Sequence, residues 1–420
     1  MNCTREKTKK DAKIDKSMLN IVLVYPGFPP EEQISGGIST FTQEIAQGLA
    51  ELGHNIIVLS RSNEKKLVIE KEMKNLQIFR VPEETKLTKN LKILNFRNMG
   101  SFWYSKRIKN IIKKIEKEKG LIDIVECGDW GAEATCLLRE YKDKLLIRCH
   151  TPSFVSEKYN YSNKPYFSKF TKLLEKHVLK NAKHIASPSE SLILEIKKYM
   201  KIKDTIIIQP YPLKIEEIPY KTKYIQNFSK ENPFKILVVG RLEERKGQDI
   251  VCRAMNLLVK KKYPVRLVFA GADTPTQNKK TFKTELSKIL TFEAKKYVSF
   301  LGHVPKKEIS TIYPEFDCYV MSSRFESIGF VVLEAMRAGL PVIASNICEM
   351  PRFIQNNING KLFKVNDFKE LFKQIECLIQ NPNKIENIGR TARKYILEYF
   401  KQKQPIQQIV DLYYSISTKQ

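Results

Sequence analysis

The 420-residue chain contains no Cys-x-x-Cys pair, no Asp-x-Asp, no cluster of histidines and no long uninterrupted apolar run. Each absence removes a class of protein. The eight cysteines, Cys3, Cys127, Cys136, Cys149, Cys252, Cys318, Cys348 and Cys377, are scattered and sit mostly in apolar runs. That usage reads as reduced core thiols in a cytoplasmic protein, not as a disulfide framework or a structural zinc site. No His, Cys or carboxylate cluster has metal-ligand spacing, so no metal and no resident cofactor is expected. The opening "MNCTREKTKKDAKIDKSMLN" is charged throughout and has no apolar core, which argues against a secretory signal and for a disordered tail over 1–19. Nowhere do about 18 uncharged apolar residues run together, so no membrane-spanning helix is expected.

What the chain does have is enough apolar material for large cores: 42% hydrophobic residues, with 18 Tyr and 22 Phe. Its length exceeds what one core usually fills, so two domains of roughly 200 residues are expected. The net charge of +27 favours anionic partners, whether phosphorylated metabolites, lipid headgroups or nucleic acid. A lysine-rich composition could equally reflect an AT-rich genome. Nucleic acid is the weakest of these partners, because the cations are interleaved with sheet-and-helix patterning and no recognition motif or stacking platform is present.

Short β-branched runs alternate with helical patterns in two series. The first comprises "NIVLVYP", "NIIVLS", "LQIFRV", "IDIVE", "KLLIRCH" and "HIASPS" between residues 20 and 189; the second comprises "FKILVVG", "VRLVFAG", "YVSFLG", "FDCYVMS" and "LPVIAS" between 234 and 345. Apolar strands alternating with helices imply parallel sheets covered on both faces. Between the two series, residues 206–234 carry four prolines and no sustained period, which marks a connection. The fold class is therefore α/β, with two Rossmann-like doubly wound domains facing across a cleft. The expected boundaries are 20–208 and 209–400, followed by a helix over 401–420 that packs back on the first domain.

In such sheets ligands bind beyond the carboxyl ends of the strands. "VVGRLEERKG" (238–247) places Arg241 and Lys246 there, and an arginine fork with a lysine point charge suits a diphosphate. Solvated loop cations are the plain alternative. In "RFESIGFVVLEAMRAGLPVIAS" (324–345) the spacing predicts a helix from about Ile328, closed by Gly339 and Pro341. Gly329 would then expose the first amides, those of Ile328, Gly329 and Phe330, as an anion site. Glu326 lies in the preceding loop, where its plain role would be to stabilise the helix start by roughly 0.3–1 kcal/mol. Glu334 lies inside the helix, where a carboxylate can accept two bonds from a sugar diol. His150 closes "LLIRCH", as a ligand contact or as a buried, satisfied imidazole.

Taken in order, Gly36 and Gly37 in "PEEQISGGIST", "DIVECGDWGAEA", the Gly-Arg-x4-Lys-Gly run ending at Lys246, and the Glu-x7-Glu pair of Glu326 and Glu334 resemble the retaining glycosyltransferases of family 4 (glycosyl transferases group 1), which have the GT-B architecture. The resemblance runs from about residue 20 nearly to the end. It implies a nucleoside diphosphate sugar donor held by the second domain. Arg241 and Lys246 would meet the leaving diphosphate, with the amides at 328–330, while Glu334 holds the ribose. Glu326 and His150 would face the transferred hexose, and Gly36 and Gly37 would line the cleft. Glu126, Asp129 and Trp130 would face the acceptor; His303 would line the base pocket, and His54, His177 and His184 would be structural. The family expectation is front-face substitution without a metal, on a glycan, lipid-linked or small-molecule acceptor in cell-surface polysaccharide synthesis.

Two departures stand out: "IIQPYPL" (207–213) occupies the place of a frequent Pro-Asn-Gly turn, and "ESIG" replaces a more glycine- or phenylalanine-rich acid motif. Alternatives with the same architecture are a sugar-nucleotide epimerase or a phosphorylase. A degenerate scaffold is disfavoured by the intact Arg241, Lys246, Glu326 and Glu334. Two basic, aromatic stretches, 89–120 and 157–184, fit either solvated helices or peripheral contact with an anionic membrane on the inner face of the cell membrane, with the balance toward contact.

Overall fold

A computed structural model of the protein describes residues 18–29, 36–83, 99–160, 167–212, 218–278 and 280–417. Residues 1–17 of the expected 1–19 tail, the glycine loop before Gly36, and the parts of the basic stretches at 84–98 and 161–166 lie outside the described residues, while Leu19 is buried in the core.

The first lobe is built on β1 (Asn20–Tyr25), β2 (Asn55–Ser62), β3 (Val68–Met73), β4 (Leu76–Pro82), β5 (Ile124–Gly128), β6 (Leu145–Arg148), β7 (His184–Ser187) and β8 (Ile207–Ile208). They form one sheet in the order β3-β4-β2-β1-β5-β6-β7-β8, parallel except where β3 runs against β4. Alternation explains why β1 is apolar from Ile21 to Tyr25. Ile21, Leu23 and Tyr25 enter one core while Val22 and Val24 enter the core on the other face. The exposed edge strand β3, "VIEKEM", follows no such pattern and was not expected; its charges suit a sheet edge.

The second lobe repeats the plan with β9 (Phe234–Val239), β10 (Val265–Ala270), β11 (Val298–Gly302), β12 (Cys318–Met321), β13 (Val342–Ser345) and β14 (Lys361–Phe363), all parallel, in the order β11-β10-β9-β12-β13-β14. In each sheet the strand order reverses beside the first strand, between β1 and β5 and between β9 and β12. Loops leave those neighbours in opposite directions, which opens a crevice at the carboxyl ends. One apolar cluster runs unbroken from Ile21 and Phe41 through Tyr211 to Ile328, Phe330 and Leu333, so the lobes share a core.

The helix Pro382–Lys403 packs on the second lobe, turns at Gln404, and gives way to a last helix, Pro405–Ile416, which lies on the first. Its anchor is polar and buried. Tyr413 donates to Glu126 Oε2 at 2.9 Å, Tyr25 donates to Oε1 at 2.5 Å, and Arg148 makes two bonds to the same carboxylate at 2.8 and 2.7 Å. The side chains of Glu126 and Arg148 are both 0% exposed. This corrects the placement of Glu126 at the acceptor cleft. Register pairs Glu126 with Leu146, so Arg148, two residues on, lies on the same face of the sheet and captures it.

A buried pair is costly to break because one charge is left alone. Glu126→Gln should therefore remove about 3–5 kcal/mol of stability. The urea midpoint measures it; a midpoint within error of wild type would mean that the pair is not the anchor.

Candidate active site

β9 delivers its loop to the crevice beside the loop after β12. Gly247 is what permits this closeness: its φ is +65°, and a β-carbon there would lie 2.0 Å from the carbonyl oxygen of Ser322. Ser322 in turn donates its hydroxyl to the Lys246 carbonyl at 3.0 Å. The two loops are thus clamped, and the Lys246 ammonium pairs with the Glu326 carboxylate. Burial would raise the Glu326 pKa, but Lys246 and Arg245 outweigh it and hold the carboxyl below its usual value. Burial likewise pulls the Lys246 ammonium below its usual value despite the attraction of Glu326.

Two members of this cluster escaped the sequence reading. Arg245 donates to Glu243 at 2.8 Å and to the Phe325 carbonyl at 3.1 Å, and lies 3.5 Å from Glu326. Its backbone amide donates to Asn160 of the first lobe at 2.8 Å. Glu243 is buried, and Arg241, Arg245 and Lys246 overcome that burial to pull its pKa down to about 2. Arg241 lies 3.7 Å from Glu243 and keeps 39% of its side chain exposed. Both missed residues lie inside the quoted Gly-Arg-x4-Lys-Gly run, and their charge was the available signal.

Across the crevice, the helix that carries Glu334 spans Phe330–Arg337. It starts two residues after the expected Ile328, because Gly329 adopts φ +75° and breaks the helical path. Ile328 and Gly329 therefore form the approach to the helix, and Phe330 opens it. The first-lobe helix Gly37–Glu51 begins beside it: a β-carbon on Gly37 would lie 3.9 Å from Phe330 Cδ2. Gly36 precedes that helix in extended backbone. Two helix starts thus converge on one place, each with its positive dipole end inward. Glu334 is buried one turn along and accepts from the Tyr313 hydroxyl at 2.9 Å. Tyr313 was invisible to motif reading, since an isolated tyrosine 21 positions upstream carries no spacing signal.

From the first lobe come His150, beyond β6, and Asp129, beyond β5. Asp129 Oδ1 accepts the His150 backbone N–H at 3.0 Å, while Asp129 Oδ2 and His150 Nε2 are buried with no hydrogen-bond partner among the described residues. Burial, aided by the charge of Arg148, keeps the His150 pKa well below that of free imidazole, so the ring is neutral. Burial also raises Asp129, against backbone donors that lower it, to about 7. Trp130 packs its ring on Phe167 at 5.3 Å. Arg241, Lys246, Glu326, Gly329 and Phe330 are gathered around the β9/β12 crevice, Glu334 is buried in the helix that Phe330 opens, and His150 is linked to Phe330 through the Tyr211 ring.

Residues 221–395 match the family described as glycosyl transferases group 1, and residues 35–211 match glycosyltransferase family 4. Spore coat protein SA of Bacillus subtilis is 31% identical over 163 residues, which are 38% of this chain and 43% of that protein. The match thus spans less than half of that relative. A sucrose-phosphate synthase from Thermosynechococcus elongatus superimposes with a TM-score of 0.74 at 17% identity, over 95% of this chain and 99% of the other. HepE of Anabaena, solved in complex with UDP and glucose, gives 0.67 at 18%, over 94% and 99%. At such identities the likeness is one of fold, and the fold is GT-B.

Asp129 makes a pH prediction. Its folded pKa of about 7 exceeds the ordinary aspartate value of 3.8, so between those values the fold keeps a proton that the unfolded chain releases. Its contribution is complete below about pH 4 and fades as pH rises through about 7. Asp129→Asn should remove that slope, so that the variant gains on wild type in unfolding midpoint as pH rises from about 4 to about 7. A difference that stays constant with pH would show Asp129 to be ionised in the fold.

Proposed function

The chain belongs to the group 1, family 4 glycosyltransferases, and from that premise we propose that it transfers a sugar, with retention, from a nucleoside diphosphate sugar to a glycan or lipid-linked acceptor in cell-surface polysaccharide synthesis. The carrying observation is the convergence of Lys246, Arg245 and Arg241 with two glycine-opened helix starts at the β9/β12 crevice. Charge builds on the diphosphate as it leaves, and fixed cations and amides aimed at that place lower the barrier. The presence of UDP with HepE supports the donor class, without naming the base used here.

In this reading the sugar–phosphate C1–O bond breaks as the acceptor oxygen attacks C1 on the same face, and the acceptor proton passes to a phosphate oxygen. Lys246 exchanges Glu326 for the diphosphate, which frees Glu326 toward the hexose. Glu334, oriented by Tyr313, holds the ribose diol. His150 approaches the hexose from the first lobe. The cations alone meet the diphosphate charge, so the reaction is read as metal-independent.

The acceptor reading draws on the two helices Gly100–Lys119 and Lys169–Asn181. Their first turns are tied by the Ser101–Thr171 hydroxyl contact at 3.2 Å. Half-buried Phe102, Trp103 and Phe170 and the 63% exposed Leu173 therefore share one end with Lys106, whose ammonium lies 5.3 Å over the Trp103 ring. Aromatic side chains beside cations suit an anionic bilayer surface. No helix among the described residues is long and apolar enough to cross a membrane.

Lys246→Ala should lower turnover by about 10²–10³-fold while the protein melts as wild type does. The direct test is thermal shift with UDP, GDP, ADP and TDP. One of them should stabilise wild type, by about 2.7 kcal/mol at a hundredfold excess over Kd, and should stabilise the variant far less. Stabilisation by none of the four would overturn the donor reading. For the surface, sedimentation with phosphatidylglycerol vesicles should exceed that with phosphatidylcholine and should fall with salt; equal, negligible sedimentation with both would discard it.

A further inference from the structure

Tyr211 lies in the connection between the lobes, within "QPYPL", and no step above uses it. Its ring is buried, stacked on Phe330 with centroids 5.3 Å apart and planes at 17°, and packed on Phe41 at 4.5 Å. The same ring lies 5.1 Å from that of His150. Its hydroxyl reaches two groups at once, the Cys149 carbonyl oxygen at 2.8 Å and His150 Nδ1 at 2.5 Å.

A phenol has one proton to give. Given to Nδ1, it would leave the phenol oxygen facing the carbonyl oxygen at 2.8 Å with no hydrogen between them. Given to the carbonyl, it leaves the phenol oxygen free to accept from Nδ1–H, and all three atoms are satisfied. The hydrogen bond made by one imidazole nitrogen decides the state of the other. We infer that Tyr211 is a positioning residue that holds His150 as the Nδ1–H tautomer, so that the buried, unpartnered Nε2 presents a lone pair to a hydroxyl of the bound sugar. The hydroxyl as Nε2's partner rests on the glycosyl-transfer reading; the tautomer does not. Because the Tyr211 ring lies flat on Phe330, the first residue of the helix that carries Glu334, the donor side and the histidine are set by one side chain.

With five histidines, the imidazole nitrogens can be resolved by ¹⁵N NMR of histidine-labelled protein, with His150→Gln assigning the resonance. Wild type should show a protonated Nδ1 and a bare Nε2 at His150. Tyr211→Phe keeps the ring and its stacking, so it should melt like wild type while the two tautomers of His150 mix. Its kcat should fall about tenfold, the scale of one lost buried hydrogen bond, with donor KM held within about twofold. A protonated Nε2 in wild type, or an unchanged tautomer in the variant, would overturn the assignment; a changed tautomer with unchanged kcat would overturn the positioning role. Absence of turnover in wild type with every donor would strike the glycosyl-transfer reading alone, since the NMR result stands without substrate.

Discussion

Charge taken out of water must be matched, and the loop after β9 carries more positive charge than any other point at the cleft. Arg241, Arg245 and Lys246 occupy six consecutive positions and would repel one another if left alone. Glu243 and Glu326 supply the match in different ways. Glu243 is fully buried and held ionised by all three cations, so it is a fixed counter-charge that keeps Arg245 bridging to Phe325. Glu326 sits nearer the opening and holds Lys246 by a contact that an incoming anion can replace. A diphosphate therefore meets cations already gathered and oriented, and the reorganisation needed on binding shrinks to one exchanged ion pair.

The same matching governs the first lobe, where Glu126 with Arg148 and Glu133 with Arg61 close buried charges locally. Against that background the unmatched atoms at the cleft carry information. Buried atoms with no hydrogen-bond partner among the described residues include Arg61 Nη2, Glu133 Oε2 and Arg148 Nη1 of those pairs, but His150 Nε2 and Asp129 Oδ2 are the ones that lie beyond the carboxyl ends of the adjacent strands β6 and β5. Burial moves both in the direction of the uncharged form, lowering the imidazole and raising the carboxyl.

Much of this was legible in the sequence because strands buried on both faces are mostly apolar. The runs that became β1, β2, β9, β10 and β12 therefore announced the two sheets, and the carboxyl ends of β9 and β12 announced where Lys246 and Glu326 meet. Edge strands escaped. β3 is exposed and half charged, and β8 has two residues, so neither is forced to show the period of a buried strand. The Glu334 helix starts two residues later than its apolar spacing predicts, because Gly329 precedes it with left-handed backbone. Glu126 was misplaced because its partner, Arg148, is 22 positions away and is fixed by sheet register, which spacing along the chain does not reveal. Tyr211 and Tyr413 reach across 61 and 287 positions, and no local pattern encodes such meetings.

The contacts that join the lobes fall into two kinds, and the difference has a mechanical meaning. Near the cleft they are flat ring pairs, Tyr159 on Phe325 and Tyr211 on Phe330, with single hydrogen bonds from the Arg245 amide to Asn160 and from Ser191 to Glu349. Stacked rings slide with little loss of contact, and a lone hydrogen bond near water is readily exchanged for one to solvent. Behind the cleft, the last helix is bound to the first lobe through Tyr413 and the buried Glu126–Arg148 pair, a link that cannot open without stranding a charge. Any separation of the lobes at the cleft would therefore break the front contacts before the rear link.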